Sequence, residues 1–174
     1  MSETFIKTRR FMAPLTMIGL LASFTVYLGT FGGLTSDRLG VGMFALHAGA
    51  ILSLFPLLFM EGVGMKRRGF TSALNRALPK WVRFVNYAIT GVALLTAIWF
   101  FHFGGSQGSP QIVSGQYVLD NHGVLTPVTQ AEYLRVGSLE LRFFAAIWLV
   151  FYFYDVSYWW FLKQPISSNQ VGEV

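Results

Sequence analysis

Residues 143–162 read FFAAIWLVFYFYDVSYWWFL, twenty residues among which Asp155 carries the only charge. A helix needs about 20 apolar residues to cross the hydrocarbon core of a bilayer, and three further runs of this kind lie at 11–33, 39–60 and 81–103. Charged residues make up 12% of the 174 positions, about half their share in soluble domains. The sequence therefore predicts an all-α membrane protein, a bundle of four transmembrane helices.

The residue types that are absent exclude several classes of protein. The chain has no cysteine, which excludes disulfide-rich secreted modules, Cys-ligated zinc or iron–sulfur proteins and thiol enzymes. It has no P-loop and no H-E-x-x-H motif, whose residues serve phosphate binding and zinc hydrolysis. We therefore expect a non-enzymatic protein without a catalytic site or a metal site.

Lys and Arg are distributed unevenly about the four predicted spans. One side holds only Arg38, Arg135 and Arg142, whereas the other side holds ten basic residues. The positive-inside rule places those ten in the cytoplasm, together with the N-terminus (1–10) and the tail (163–174). The net charge of +5 then reports topology in a bacterial inner membrane, not nucleic-acid binding. The ten are Lys7, Arg9, Arg10, Lys66, Arg67, Arg68, Arg76, Lys80, Arg83 and Lys163.

The cytoplasmic loop, 61–80, has the pattern of a short amphipathic helix. Leu74 and Leu78 recur at helical spacing, and Pro79 is typical of a helix end. The basic residues lie on the other face, which predicts a helix resting on anionic lipid. These lipid-surface residues are Lys66, Arg67, Arg68, Arg76 and Lys80.

The segment 104–142 is the one sizeable piece outside the predicted spans. Its first residues are rich in Gly and Ser and predict a flexible exit that ends at Pro110. The pattern then predicts a strand at 116–119, a turn at 121–123 and a returning strand at 124–128. Thr129 and Glu132 have capping-box spacing, so we expect a helix that begins there and runs into the fourth span.

The same segment is the predicted sensor or contact lobe. Its candidate residues are Tyr117, Asn121, His122, Glu132 and Tyr133. The string Y-x-L-x-N-H-G, followed by T-x-x-E-Y, resembles a hairpin-and-helix pattern of uncharacterised small four-span bacterial inner-membrane proteins. The resemblance covers residues 117–133 and none of the spans. It implies a bacterial inner-membrane setting and carries no activity.

Polar side chains within the predicted spans are the intramembrane site candidates, because ionisable groups are costly in lipid. One interpretation is a structural salt bridge, for example between Arg83 and either Asp155 or Glu61. The alternative is a relay for protons or cations, or a ring of carboxylates that lines an oligomeric pore. The full candidate set is Asp155, Glu61, His47, Asn86, Arg83 and His102.

His47 and His102 are the two histidines within the spans, and they suggest a haem or quinone redox subunit. A transmembrane b-type haem would need two histidines at matched depth. The depths of these two differ by about 10 Å at the α-helical rise per residue. This favours no bound cofactor, with haem or quinone kept as an alternative.

Small and hydroxyl-bearing residues form stripes on two of the predicted spans. Such stripes let transmembrane helices approach closely and share hydrogen bonds. We expect the two stripes to face each other in the bundle, or one of them to form an oligomer seam. They consist of Thr16, Gly19, Ser23, Tyr27 and Thr30, and of Gly42, Ala45, Gly49, Ser53 and Pro56.

Three functions fit this architecture. The first is a protein that acts through assembly, as a homo-oligomer or a membrane-complex subunit with the external lobe as sensor or contact surface. Its partners are then membrane lipid, further copies, or other membrane or periplasmic subunits. The second is an oligomeric ion channel or proton pathway that uses Asp155 and Glu61. The third is the redox subunit built around His47 and His102.

Overall fold

A computed structural model describes residues 3–60, 76–104 and 107–162 of the chain. In these ranges the protein is mostly helical, with one small sheet between the last two long helices. A 3-10 turn, Thr30–Gly32, follows the first helix, and a π-helical turn, Ser157–Phe161, continues the last one. The helices are α1 (Glu3–Gly29), α2 (Ser36–Leu39), α3 (Val41–Met60), α4 (Lys80–Phe103) and α5 (Gln130–Val156).

Three helical stretches in the described part of the chain are long and apolar enough to cross a membrane. Each overlaps a predicted span. The remaining predicted span, 39–60, coincides with α3, whose apolar stretch in the described residues is the shorter Val41–Phe55. The three stretches are Phe5–Gly32, Lys80–Phe103 and Gln130–Phe161.

Helix α5 is the element on which the other long helices pack. Helices α1, α3 and α4 all contact it, and α1 also contacts α3. One buried cluster includes Val26, Ala50 and Trp148, and a second cluster, farther from the sheet, includes Phe5 and Trp159. In helices that cross a membrane, close packing rather than exclusion of water holds the bundle together, because lipid is as apolar as these side chains.

Tyr152 of α5 contacts both small-residue stripes. A Cβ added at Gly19 would overlap the Tyr152 ring, and one added at Gly49 would overlap its hydroxyl oxygen. That hydroxyl donates to the carbonyl oxygen of Leu46 at 3.1 Å. The two stripes were predicted to face each other, but their glycines also make room for a third helix. Only a residue without a side chain fits at these positions.

The sheet has three antiparallel strands in the order β1-β2-β3. The strands are β1 (Ser109–Val113), β2 (Gln116–Asn121) and β3 (Val124–Pro127). The prediction of a two-stranded hairpin was therefore incomplete, because β1 begins at the end of the expected flexible exit, Ser109 and Pro110, and continues through 111–113, where no strand was predicted. Pairing with β2, from Ser109 opposite Asp120 to Val113 opposite Gln116, holds this segment extended despite its Ser and Pro content. Ser114 and His122 have φ of 51° and 54° at the two turns.

The predicted cap at the start of α5 is present. The backbone N–H of Glu132 donates to the Thr129 hydroxyl oxygen at 3.2 Å, which satisfies one of the free amides of the first turn. The helix runs without interruption from Gln130 to Val156. The cap therefore connects the sheet rigidly to the central helix.

Candidate functional site

A layer of buried polar side chains crosses the helices in the half away from the sheet. Asp155 and Ser157 of α5 and its π-helical turn are 0% exposed, Ser53 of α3 is 2% exposed and Asn86 of α4 is 1% exposed. The Ser53 hydroxyl donates to Oδ2 of Asp155, and Nδ2 of Asn86 donates to the Ser157 hydroxyl at 3.2 Å. These two contacts tie α3 and α4 to α5 through hydrogen bonds.

Asp155 has unused hydrogen-bonding capacity. Its Oδ1 atom is buried and has no hydrogen-bond partner in the described part of the protein. The indole Nε1 of Trp159, one helical turn onward, is also buried and without a partner there. Burying a polar group without a partner costs free energy. Among the described residues, the Asp155 carboxyl group is therefore a buried ionisable group with one oxygen atom left without a partner.

The predicted ion pair of Asp155 with Arg83 is not formed. Within residues 3–60, 76–104 and 107–162 the one ion pair joins Lys7 and Glu3, at 2.7 Å. Asn86, not Arg83, is the buried polar residue by which α4 faces α5, because a neutral amide is cheaper to bury than a guanidinium. Arg83 remains partly exposed. Glu61 lies outside the described residues.

The two histidines have different surroundings. Nε1 of Trp148 donates to Nδ1 of His47 at 3.2 Å, and the His47 ring also packs edge-on against Phe144. His102 is exposed near the end of α4, and its ring packs against Phe103 at 4.5 Å between centroids. Among the described residues, no group of three or more His, Cys, Asp or Glu side chains could hold a metal ion.

Comparison of the chain with known protein families, with curated proteins and with solved structures finds no match. The functional proposals therefore rest on the chemistry of the sites. Two regions of the described structure are relevant, the buried polar layer around Asp155 and the three-stranded sheet.

The predicted lobe residues divide into an internal group and an exposed group. Tyr133 is 4% exposed and packs on Tyr117 at 4.9 Å between ring centroids. Asn121 and His122 are exposed at the β2–β3 turn. The two tyrosines thus attach the sheet to α5. Glu132 is partly exposed in the first turn of that helix.

The predicted lipid-surface residues are only partly described. Arg76 and Lys80 are exposed near the start of α4, whereas Lys66, Arg67 and Arg68 lie outside the described residues. A basic contact that sequence reasoning missed occurs at the same end, where Arg9 donates to the carbonyl oxygens of Trp160 at 2.9 Å and Leu162 at 3.2 Å. The π-helical turn frees main-chain carbonyls near its end, and a basic side chain from α1 binds two of them.

Proposed function

We propose that the protein is a bacterial inner-membrane protein with four spans that works through assembly, as a homo-oligomer or a subunit of a membrane complex. In this proposal α3 also crosses the membrane, in addition to the three helices of membrane length, since its 20 residues are enough to cross the hydrocarbon. Both termini then lie in the cytoplasm and the sheet lies outside. The sheet is the contact surface.

Exposed apolar side chains on the sheet carry this proposal. Ile112 is 54% exposed and Val113 is 36% exposed, both on the edge strand β1. An apolar surface of this kind in water marks a contact site. Pro110 lies on the same edge and has no N–H, so an added strand could not pair with it continuously. The apolar side chains, rather than the backbone edge, make the proposed contact.

The sheet has exposed apolar side chains at both of its ends, and the direction of β2 indicates which end lies nearer the membrane. Tyr117 lies beside Tyr133 near the start of α5, whereas His122 shares a cavity with Glu140, about two helical turns closer to the membrane. The β1–β2 turn therefore lies at the end farther from the membrane. We assign Ile112 and Val113 to protein contact. Val124 and Leu125, which are 66% and 47% exposed beside the other turn, are assigned to the lipid surface.

Paired substitutions at the two ends test this assignment. In mild detergent, light scattering with the mass of bound detergent subtracted should give a protein mass for the wild type above the 19.5 kDa of one chain. Ile112→Ser with Val113→Ser should lower that mass while insertion persists, whereas the matched control, Val124→Ser with Leu125→Ser, should leave it unchanged. A single-copy wild type, or an equal effect of both pairs, would contradict the proposal.

A second candidate function is a proton or cation pathway through the polar layer. The observation that favours it is the buried Asp155 carboxyl, which accepts from Ser53 and keeps Oδ1 without a partner in the described residues. Carboxyl groups in this position are typical of ion and proton relays in membranes. Hydroxyl and amide neighbours on three helices could pass or hold a proton or a small cation.

Flux in liposomes tests the second candidate. The wild type should conduct, Asp155→Asn should lose the flux, and Thr25→Ala, on α1 outside the polar layer, should retain it. The asparagine keeps the size of the side chain and its acceptor toward Ser53 but cannot release a proton. Absence of flux in the wild type, or unaltered flux in Asp155→Asn, would remove the pathway role.

A further inference from the structure

A cavity of about 430 Å³ opens at the sheet end of the helices. It lies between the 3-10 turn, the end of α4 and the outer part of α5. Its walls include three aromatic rings and four polar side chains. The rings are Phe31, Trp99 and Phe103, and the polar residues are Thr30, Arg135, Ser138 and Arg142.

The two arginines of the cavity have neutral partners. Arg142 donates from Nε to the Thr30 hydroxyl at 2.9 Å and from Nη2 to the Thr30 carbonyl at 3.2 Å, with its guanidinium carbon 3.9 Å from the Phe31 ring centroid. Arg135 donates to the Gln107 side-chain oxygen at 3.0 Å and the Phe103 carbonyl at 3.5 Å. In the described part of the chain neither pairs with a carboxylate. Each guanidinium therefore keeps its full charge and unused N–H donors.

Ser138 lies between the two arginines. Spacings of three and four residues place Arg135, Ser138 and Arg142 on one face of α5. Ser138 is 6% exposed, and its hydroxyl oxygen is buried without a hydrogen-bond partner among the residues described. Glu140 lines a different cavity, beside His122. The cavity thus has two cations on its walls and an unused hydroxyl buried between them.

The aromatic rings distinguish two sources of an anionic ligand, the membrane and the aqueous phase. Phe31, Trp99 and Phe103 are 64%, 54% and 40% exposed at the ends of two helices, which is the depth of lipid headgroups. A free anion would gain no binding energy from apolar rings, whereas the acyl chains of a lipid would pack against them. We propose that this cavity binds the phosphate of a membrane phospholipid, with the arginines and Ser138 on the phosphate oxygens and the rings against the chains.

Native mass spectrometry with added lipids tests the proposal. The purified full chain should retain phosphatidylglycerol but not diacylglycerol, which has the chains and lacks the phosphate. Arg135→Gln should weaken retention about tenfold, because charge-assisted hydrogen bonds to phosphate are strong, and Ser138→Ala should weaken it to a smaller extent. Arg38→Gln, an arginine of the same predicted side that does not line the cavity, is the matched control and should bind like the wild type.

Several results would overturn the proposal. Equal retention of diacylglycerol would show that the rings alone bind lipid. Equal binding by Arg135→Gln and Arg38→Gln would remove the arginine from the site. Displacement of the lipid by millimolar inorganic phosphate would make this a site for small anions. Arg142→Gln is not the primary test, since Arg142 also anchors Thr30, and circular dichroism of each variant checks that it is folded.

Discussion

The loss of stability caused by Gly19→Ala and that caused by Gly49→Ala should respond differently to a second substitution, Tyr152→Phe. At Gly49 an added Cβ would meet the Tyr152 hydroxyl oxygen, while the ring carbon Cζ is 3.7 Å away, an ordinary contact. At Gly19 the added Cβ would overlap three carbons of the ring itself. Tyr152→Phe removes the hydroxyl and keeps the ring. It should therefore relieve Gly49→Ala and leave Gly19→Ala unrelieved.

The sizes of these effects follow from the contacts. Overpacking by one methyl group costs about 1–3 kcal/mol, and alanine in place of glycine within a helix returns up to about 1 kcal/mol. Tyr152→Phe alone loses the hydrogen bond to Leu46, which is worth about 1 kcal/mol. The coupling energy between Gly49→Ala and Tyr152→Phe should then be about 1–3 kcal/mol, and that for Gly19→Ala close to zero.

Unfolding in detergent micelles, followed by circular dichroism, measures these free energies. Gly91→Ala is the matched control, because no atom lies within 4 Å of an added Cβ there, and it should be neutral or slightly stabilising. The packing of α1 and α3 around Tyr152 is refuted if Gly19→Ala behaves like Gly91→Ala. Equal relief of both glycine variants by Tyr152→Phe would refute it as well.

Two further predictions concern topology and the α5 cap. Because the chain has no cysteine, single cysteines introduced at Asp37 and Ser72 can be labelled with a membrane-impermeant maleimide. In intact cells Asp37→Cys should react and Ser72→Cys should not. Reaction of both variants would place both ends of α3 on one side of the membrane. Thr129→Ala should lower the free energy of unfolding by about 1 kcal/mol through loss of the cap, and Thr126→Ala, on β3, should have a smaller effect in the same melts.

Features that depend only on residues close together in the chain could be predicted from the sequence. The long apolar runs and the Thr129 cap are properties of consecutive residues, and the structure contains both the cap and three apolar helices of membrane length. Strand β1 was missed because its extended form depends on pairing with β2, and its own Ser and Pro content indicates a loop. Local propensity cannot report a partner strand.

The partners of the polar residues could not be derived from the sequence. Helical rise and periodicity give the depth and face of Asp155, but they do not identify the neighbouring helix, so Arg83 was a reasonable partner and Ser53 was not foreseen. In the same way the glycine stripes were visible, whereas Tyr152 as their common contact was not. A bulky side chain opposite two glycines on different helices can be recognised only once it is known which helices are neighbours.

Native mass spectrometry of a tagged copy, released gently from its own membranes, measures whether the protein works through assembly. We expect a particle heavier than one chain, either an integer multiple of 19.5 kDa, which indicates a homo-oligomer, or a mass with additional protein, which indicates a complex subunit. A particle of 19.5 kDa with bound lipid and no other protein would contradict it.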